Sequence, residues 1–89
     1  MKFEFEYDPN KSASNKSKHK IDFEEAQKLW DDPRLVRVPA KSETEDRFLF
    51  IGRIGRKYWA AITTYRNEAI RIISVRRARD KEIEFYGNE

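Results

Sequence analysis

The stretch RFLFIGRIGRKYWAAITTYRNEAIRIISVR, residues 47–76, decides the fold of this 89-residue chain. Three segments rich in β-branched and aromatic residues follow one another in it: 47–54, 58–65 and 69–76. Two short segments with turn-forming residues separate them: Gly55-Arg56-Lys57 and Arg66-Asn67-Glu68. Because successive strands joined by short turns pair side by side in opposite directions, the stretch predicts an antiparallel three-stranded meander.

The chain before this meander begins with a predicted strand and a polar helix. Residues 3–7 (FEFEY) alternate aromatic and acidic side chains, the period-2 pattern of a strand buried on one face. Asp8 and Pro9 are typical of a helix start, so residues 9–19 predict a short helix. Lys, Ser and Asn dominate that helix, and Ala13 is the one apolar residue expected to pack.

A second helix is predicted where Asp22 and Glu25 have the spacing of a capping box. Its apolar residues fall on one helical face: Phe23, Ala26, Leu29 and Trp30. The Asp31-Asp32-Pro33 segment ends it, because the residue before a proline resists helical geometry. A short strand that includes Leu35, Val36 and Val38 and ends at Pro39, and a polar loop over residues 40–46, then lead into the meander.

The chain closes with a helix predicted from Arg77 to Tyr86 and ended by Gly87. We therefore predict an α+β fold: a small antiparallel β-sheet of about four to five strands, with two N-terminal helices and one C-terminal helix. Residues 1–89 are expected to form a single domain, since a chain of this length has one core.

The composition excludes several classes of protein. Aromatic residues make up 13% of the chain, which argues against disorder. No apolar run reaches the roughly 18 residues needed to span a bilayer, and the first residues have no secretory h-region. The chain has no cysteine, so disulfide and thiolate chemistry are absent. These features predict a cytoplasmic protein that does not engage a membrane.

Positive charge is concentrated in the second half of the chain. Residues 1–46 hold 9 Lys/Arg and 11 Asp/Glu, whereas residues 47–89 hold 10 and 5. Eight of the ten arginines lie in that second half. Arginine binds carboxylates and phosphates through two parallel hydrogen bonds, so an anionic partner is indicated.

Several short motifs occur in order between residues 3 and 86 and together resemble the BrnT toxins of bacterial type II toxin–antitoxin systems. They are F-x-Y-D-x-x-K, N-x-x-K-H, F-x-x-A, D-D-P, R-I-I-S-x-R-x-A and E-x-x-x-Y. Two residues depart from the family pattern. Tyr7 stands where tryptophan is usual, and Lys20 replaces the glycine that usually follows K-H.

This resemblance implies a RelE-like fold, ribonuclease activity that arrests translation, and neutralisation by a DNA-binding BrnA-type antitoxin. RNA would be the substrate, and DNA would be contacted only indirectly, through the antitoxin. No cofactor and no metal are expected, since the single histidine and the scattered acids lack the spacing of a ligand set. The chain also lacks a P-loop and a GxGxxG segment.

Metal-independent RNA cleavage needs a base for the 2′-hydroxyl, cations for the developing phosphate charge, and an acid for the leaving oxygen. The residues that fit these catalytic roles are Lys18, His19, Arg66, Arg71, Arg76, Glu82 and Tyr86. Two further arginines are candidates for RNA contact: Arg53 and Arg77. Among them, Arg66, Arg71 and Arg76 are hypothesised to supply most of the phosphate binding.

Strand alternation predicts which residues of the last strand share a face. It places Ile70, Ile72, Ser74 and Arg76 on one face. It places Arg71, Ile73, Val75 and Arg77 on the other. Helices are expected to cover one face, and the other is expected to be basic, with Arg53, Arg66 and the strand arginines that point there.

Each candidate also has an interpretation without catalysis. Arg76, Arg77 and Arg79 suit a solvated surface or an antitoxin contact, and His19 suits a helix C-terminus, where a cation is favourable. Glu82 can pair with a neighbouring arginine, and Tyr86 can pack in the core. Two further functions therefore remain open: a nucleic-acid-binding module without catalysis, and a protein-interaction domain that uses the same basic face.

Overall fold

The computed structural model describes residues 3–87 and contains one five-stranded sheet with helices on both of its faces. The strands are β1 (Phe5–Glu6), β2 (Val36–Ala40), β3 (Arg47–Ile54), β4 (Lys57–Arg66) and β5 (Ala69–Arg77). The helices are α1 (Pro9–His19), α2 (Phe23–Ala26), which continues as a 3₁₀ helix (Gln27–Asp31), and α3 (Asp80–Gly87). In the described part of the chain, no helix has the length and apolar character needed to cross a membrane.

The sheet has the order β1-β5-β4-β3-β2 and is mixed. The meander β3-β4-β5 is antiparallel as predicted, and β2 pairs antiparallel with β3. The prediction of a wholly antiparallel sheet is wrong at β1, which runs parallel to β5 with Phe5 opposite Ile70. No short turn joins β1 to β5, so local sequence contains nothing that fixes their relative direction.

Both predicted helix starts are confirmed. The side chain of Asp8 accepts a hydrogen bond from the backbone N–H of Asn10. Asp22 and Glu25 form the reciprocal capping box. The second helix is α-helical for only four residues before it tightens into the 3₁₀ helix. The expected pair of N-terminal helices, and with it the RelE-like arrangement, is therefore matched only in part.

The polar helix α1 packs through two polar residues rather than through Ala13, which is exposed. Asn15 is buried, and its amide NH₂ donates to the carbonyl oxygens of Ile21 and Val75. Its side-chain oxygen accepts from the backbone N–H of Val75. Ser12 is also buried and accepts from the N–H of Phe23. Side-chain hydrogen bonds therefore attach α1 to the edge of β5 beyond the short strand β1.

The main core lies between one face of the sheet and the helices α1 and α2 with the 3₁₀ helix. It consists of Ile21, Phe23, Ala26, Leu29, Trp30, Phe50, Trp59, Ala61, Ile70, Ile72 and Val75. The four predicted helix residues are all among them, so the predicted apolar face is confirmed. A Cβ on Gly52 would lie 2.8 Å from Leu35 Cδ1, so a larger residue there would force the Leu35 side chain to move.

The predicted division of the β5 residues between the two faces of the sheet is wrong, because β5 contains a β-bulge. Ser74 lies opposite Ile62, but the next pair on β4 joins Thr63 to Ile72, so one residue of β5 is skipped. Residues after the bulge are therefore on the other face from the one predicted by simple alternation. Ile72 and Val75 share the core face, and Arg71 and Arg76 share the opposite face.

Helix α3 covers part of this second face. Ile51 and Ala60 are fully buried there, and the rings of Tyr58 and Tyr86 meet edge to face at 5.4 Å between centroids. The helix begins at Asp80, three residues later than predicted. The expectation that helices cover only one face is therefore wrong, since the other face is partly occupied at the end nearest the β3–β4 turn.

Candidate active site

A basic cleft lies where the C-terminal end of α1 meets the adjoining ends of β4 and β5. Its volume is about 440 Å³. It is lined by Lys18, His19, Lys20, Lys57, Trp59, Arg76 and Arg77. Four of the residues predicted from sequence to act in a site are therefore brought together: Lys18, His19, Arg76 and Arg77.

Helix α1 and the turn after it supply one wall of the basic cleft. Lys18 and His19 occupy the last turn of the helix, which the hydrogen bonds of Asn15 hold against β5. Lys20 follows in the left-handed conformation, with φ of 67° and ψ of 22°. Its N–H donates to the carbonyl oxygen of Lys16 and closes the helix. Lysine thus adopts a backbone conformation that glycine enters more easily.

The sheet supplies the other wall. Trp59 on β4 lies directly opposite Arg77 on β5. The Arg77 guanidinium carbon is 5.6 Å from the centroid of the Trp59 ring, a distance at which the cation and the ring attract each other. Lys57 begins β4 and lies on the same face as Trp59. The arginine and the lysine are therefore held by a regular strand pair rather than by a loop.

Arg76 is held by Glu82 of α3. The Arg76 Nη1 and Nη2 atoms each lie 2.8 Å from an oxygen of the Glu82 carboxylate, and the two side chains are 20% and 12% exposed. The hydrogen bonds from Arg76 lower the pKa of Glu82, and the same contact raises the pKa of Arg76. Glu82 thus pairs with an arginine, which was one of its two predicted interpretations.

The remaining cations of the basic cleft are not neutralised by nearby acids. Within residues 3–87, no carboxylate oxygen lies within 4.0 Å of the charged nitrogens of Lys18, Lys20, Lys57 or Arg77. A concave surface lined by charges of one sign raises the local concentration of ligands of the opposite sign. The basic cleft is therefore suited to an anion, and His19 adds an imidazole to its lining.

Arg66 and Arg71 lie at the other end of the sheet. Arg71 donates to Glu6 over 2.9 Å, and Arg66 lies 4.0 Å from the same carboxylate. Arg71 and Arg76 share a face, but five residues of extended strand separate them by roughly 15 Å. The structure therefore does not bring Arg66, Arg71 and Arg76 together into one phosphate-binding group.

Tyr86 and Arg53 line a different cavity, of about 690 Å³, which we call the tyrosine cavity. Its lining is Lys28, Asp31, Asp32, Pro33, Arg34, Arg53, Ile54, Gly55, Tyr58 and Tyr86. The Tyr86 hydroxyl donates to Asp32 Oδ2, which also accepts from the backbone N–H of Arg53, while Asp32 Oδ1 accepts from the N–H of Arg34.

The hydrogen bonds at Asp32 determine the acidity of both partners. Burial acts to raise the pKa of the Asp32 carboxyl, but the two backbone N–H groups and the Tyr86 hydroxyl together lower it below its usual range. Burial, with the hydrogen bond to Asp32, raises the pKa of Tyr86. The Tyr86 proton is thus held by a carboxylate outside the basic cleft.

Sequence reasoning missed three contributors to the basic cleft. The sequence predicts a turn at Lys57 and a core position for Trp59, which is both buried and part of the lining. At Lys20 the sequence shows only a departure from the family pattern. The signal available in the sequence was the excess of positive charge.

Within residues 3–87 no group of three or more His, Cys, Asp or Glu side chains is placed to hold a metal ion.

Comparison with known protein families gives a match over most of the chain. The family model described as "Ribonuclease toxin, BrnT, of type II toxin-antitoxin system" matches residues 7–82. The matched segment includes every residue that lines the basic cleft. No curated protein matches the chain.

Proposed function

The chain belongs to the BrnT family of ribonuclease toxins of type II toxin–antitoxin systems, and from this premise we propose that the basic cleft is its RNA-cleaving site. The observation that carries the proposal is a histidine among four cations that have no acidic neighbour within residues 3–87. A phosphodiester is the anion that a ribonuclease must bind, and imidazole is the side chain best suited to move its protons at neutral pH.

The proposed reaction is an intramolecular transfer that needs no metal ion. His19 removes the proton of the 2′-hydroxyl, and the resulting oxygen attacks the adjacent phosphorus. The bond from phosphorus to the 5′-oxygen breaks, and that oxygen takes a proton from the ammonium group of Lys18. The products are a 2′,3′-cyclic phosphate and a 5′-hydroxyl. His19 then releases its proton to water and Lys18 takes one up, which restores both side chains.

Arg77 and Lys57 are proposed to bind the non-bridging phosphate oxygens. The planar guanidinium donates two parallel hydrogen bonds, and the strand pair holds it in place before substrate arrives. Arg76 has a different role in this proposal. Because its guanidinium is already bound to Glu82, it attaches α3 to β5 at the rim of the basic cleft.

The backbone of Lys20 supports the assignment of the basic cleft. A non-glycine residue at φ of 67° costs conformational energy that glycine would not. Its side chain lines the cleft and adds one more positive charge there. The left-handed conformation ends α1 at this point, so the helix terminus holds the Lys20 charge at the cleft.

We further propose that a BrnA-type antitoxin neutralises the protein in the cytoplasm, and that DNA is contacted only through this partner. The family description supports an antitoxin partner in general, since a type II toxin is neutralised by a protein. RNA cleavage would arrest translation and growth when the antitoxin is absent.

The test is expression of the chain alone, together with incubation of the purified protein with RNA in the presence of a metal chelator. Growth arrest and RNA fragments that end in 2′,3′-cyclic phosphate are expected. An RNA with a 2′-deoxy nucleotide at the cleavage position is the control, and it should stay intact. Salt-sensitive binding to RNA without any cleavage would instead favour a nucleic-acid-binding module.

A further inference from the structure

We propose that the tyrosine cavity binds one base of a single-stranded RNA whose scissile phosphate lies in the basic cleft. This inference rests on the function proposed above and adds the class of substrate: a strand long enough to reach both sites, with at least one base unpaired. It assigns a role to a cavity that the cleavage chemistry itself does not use.

The first observation is that a third cavity connects the two sites. Its volume is about 190 Å³. It shares Lys20, Lys57 and Trp59 with the basic cleft, and it shares Lys28 and Ile54 with the tyrosine cavity. The third cavity therefore adjoins both sites near the β3–β4 turn, and its lining has three lysines and one acid, Glu25. A strand bound in the basic cleft can extend past these lysines toward the tyrosine cavity.

The second observation is that planar side chains line the tyrosine cavity. Tyr58 is half-buried, so part of its ring faces the cavity, and its packing against Tyr86 fixes the ring orientation. The Arg34 guanidinium carbon lies 5.5 Å from the centroid of the Tyr86 ring. Aromatic rings and arginine planes are the groups on which proteins stack unpaired RNA bases.

The third observation is the difference in charge between the two sites. The basic cleft is lined by five Lys and Arg residues and no acid. The lining of the tyrosine cavity has three cations and two acids, Asp31 and Asp32. Three hydrogen bonds occupy the carboxylate of Asp32, whereas Asp31 is exposed at the cavity wall. A lining of mixed charge suits a neutral, polar base better than a second phosphate.

A carboxylate at the wall also bears on which base is bound. Asp31 can accept hydrogen bonds from an exocyclic amino group, as acidic side chains do when they contact cytosine. Lys28 and Arg53 also line the cavity and can contact the flanking phosphate or the carbonyl edge of the base. In a duplex the edge of a base is paired and its faces are stacked, so the cavity selects a single strand.

The experiment compares cleavage of a dinucleotide with cleavage of a single-stranded octanucleotide that contains the same scissile step. In the wild-type protein, kcat/KM for the octanucleotide should exceed kcat/KM for the dinucleotide. Tyr58→Ala should lower this ratio roughly 10- to 100-fold, since it removes one stacking contact that only the longer substrate makes. Arg34→Ala should lower the ratio in the same direction.

Lys41→Ala is the charge control, because Lys41 lies in the loop before β3 and lines none of the three cavities. Dinucleotide cleavage by each variant reports whether the protein is folded, and Tyr58→Leu serves as a second variant that keeps apolar volume. An unchanged ratio in both Tyr58 variants would overturn the base site but leave the proposed function intact. Cleavage of neither substrate by the wild-type protein would contradict the function, and the base site with it.

A base preference gives a second readout. Octanucleotides that differ at the position next to the scissile step should be cleaved at different rates, and Asp31→Asn should reduce the preference for bases with an amino group. If Tyr58→Ala instead weakened only the binding of a protein inhibitor and left the ratio unchanged, the tyrosine cavity would be a protein contact, and the inference would be wrong.

Discussion

Replacement of His19 by alanine is expected to lower kcat for RNA cleavage by a factor of about 100 to 10,000, the usual contribution of a general base. His19 is the one histidine of the chain, and it lies in a cleft lined otherwise by Lys, Arg and Trp side chains. Without the imidazole, the 2′-hydroxyl loses the group best placed to accept its proton. RNA binding should fall much less, because the cations of the cleft remain.

Single-turnover cleavage of a labelled oligonucleotide measures this effect separately from binding. His19→Gln is the matched variant, since it keeps a polar side chain of similar reach but cannot exchange a proton near neutral pH. Thermal unfolding should be similar in both variants, because His19 ends α1 with a partly exposed side chain and is not part of the core. Cleavage by His19→Ala within about threefold of the wild-type rate would remove His19 from the mechanism.

Replacement of Asn15 by leucine is expected to lower the free energy of unfolding by about 3 kcal/mol or more. The side chain is buried and makes three hydrogen bonds, two to the backbone of Val75 and one to the carbonyl oxygen of Ile21. Leucine leaves one N–H and two carbonyl groups without these partners in an environment that excludes water, and each unsatisfied group has a cost.

Urea unfolding of the variant measures this loss, with Ser14→Leu as the control on the same helix. Ser14 is exposed, so the control adds the same apolar side chain without removing a buried hydrogen bond. A loss below about 1 kcal/mol for Asn15→Leu would show that the attachment of α1 to β5 does not depend on this amide. The variant should also cleave RNA more slowly, since α1 positions Lys18 and His19.

The strands of the meander could be predicted closely because the signals are local. The predicted strand 47–54 coincides with β3. Both ends of β4 and the C-terminal end of β5 differ from the predictions by one residue. Alternating side chains and turn residues lie within a few positions of one another. The parallel pairing of β1 and the bulge at Ile73 depend on distant contacts, and the sequence near them shows neither.

Four residues of the candidate site were predicted, but their grouping was not. Side-chain chemistry, together with the resemblance to BrnT toxins, indicated Lys18, His19, Arg76 and Arg77, all of which line the basic cleft. The predicted grouping of Arg76 with Arg71 is wrong because the extended strand between them holds their side chains far apart. The order of residues in the sequence does not show this distance. Lys57 reaches the cleft because it starts β4 two residues before Trp59, a consequence of strand register.

Asn15 illustrates why a polar helix was difficult to assess from sequence. An asparagine in a run of Lys and Ser is usually solvated, and Ala13 was the expected packing residue. In the structure, the Asn15 amide forms hydrogen bonds with the backbone N–H and carbonyl oxygen of Val75 at the edge of β5. The strand β1 is too short to pair with this part of β5. A buried side chain with one donor group and one acceptor can satisfy both backbone groups of Val75 at once.

The most direct test of the central claim, that the basic cleft is where RNA is cleaved, is the value of kcat/KM for Arg77→Ala compared with Lys41→Ala. Each variant removes one positive charge, but only Arg77 lines the cleft. Loss of a charge-assisted contact to phosphate predicts a decrease of roughly 10- to 100-fold for Arg77→Ala and less than twofold for Lys41→Ala. Equal kcat/KM values for the two variants would contradict the assignment of the cleft.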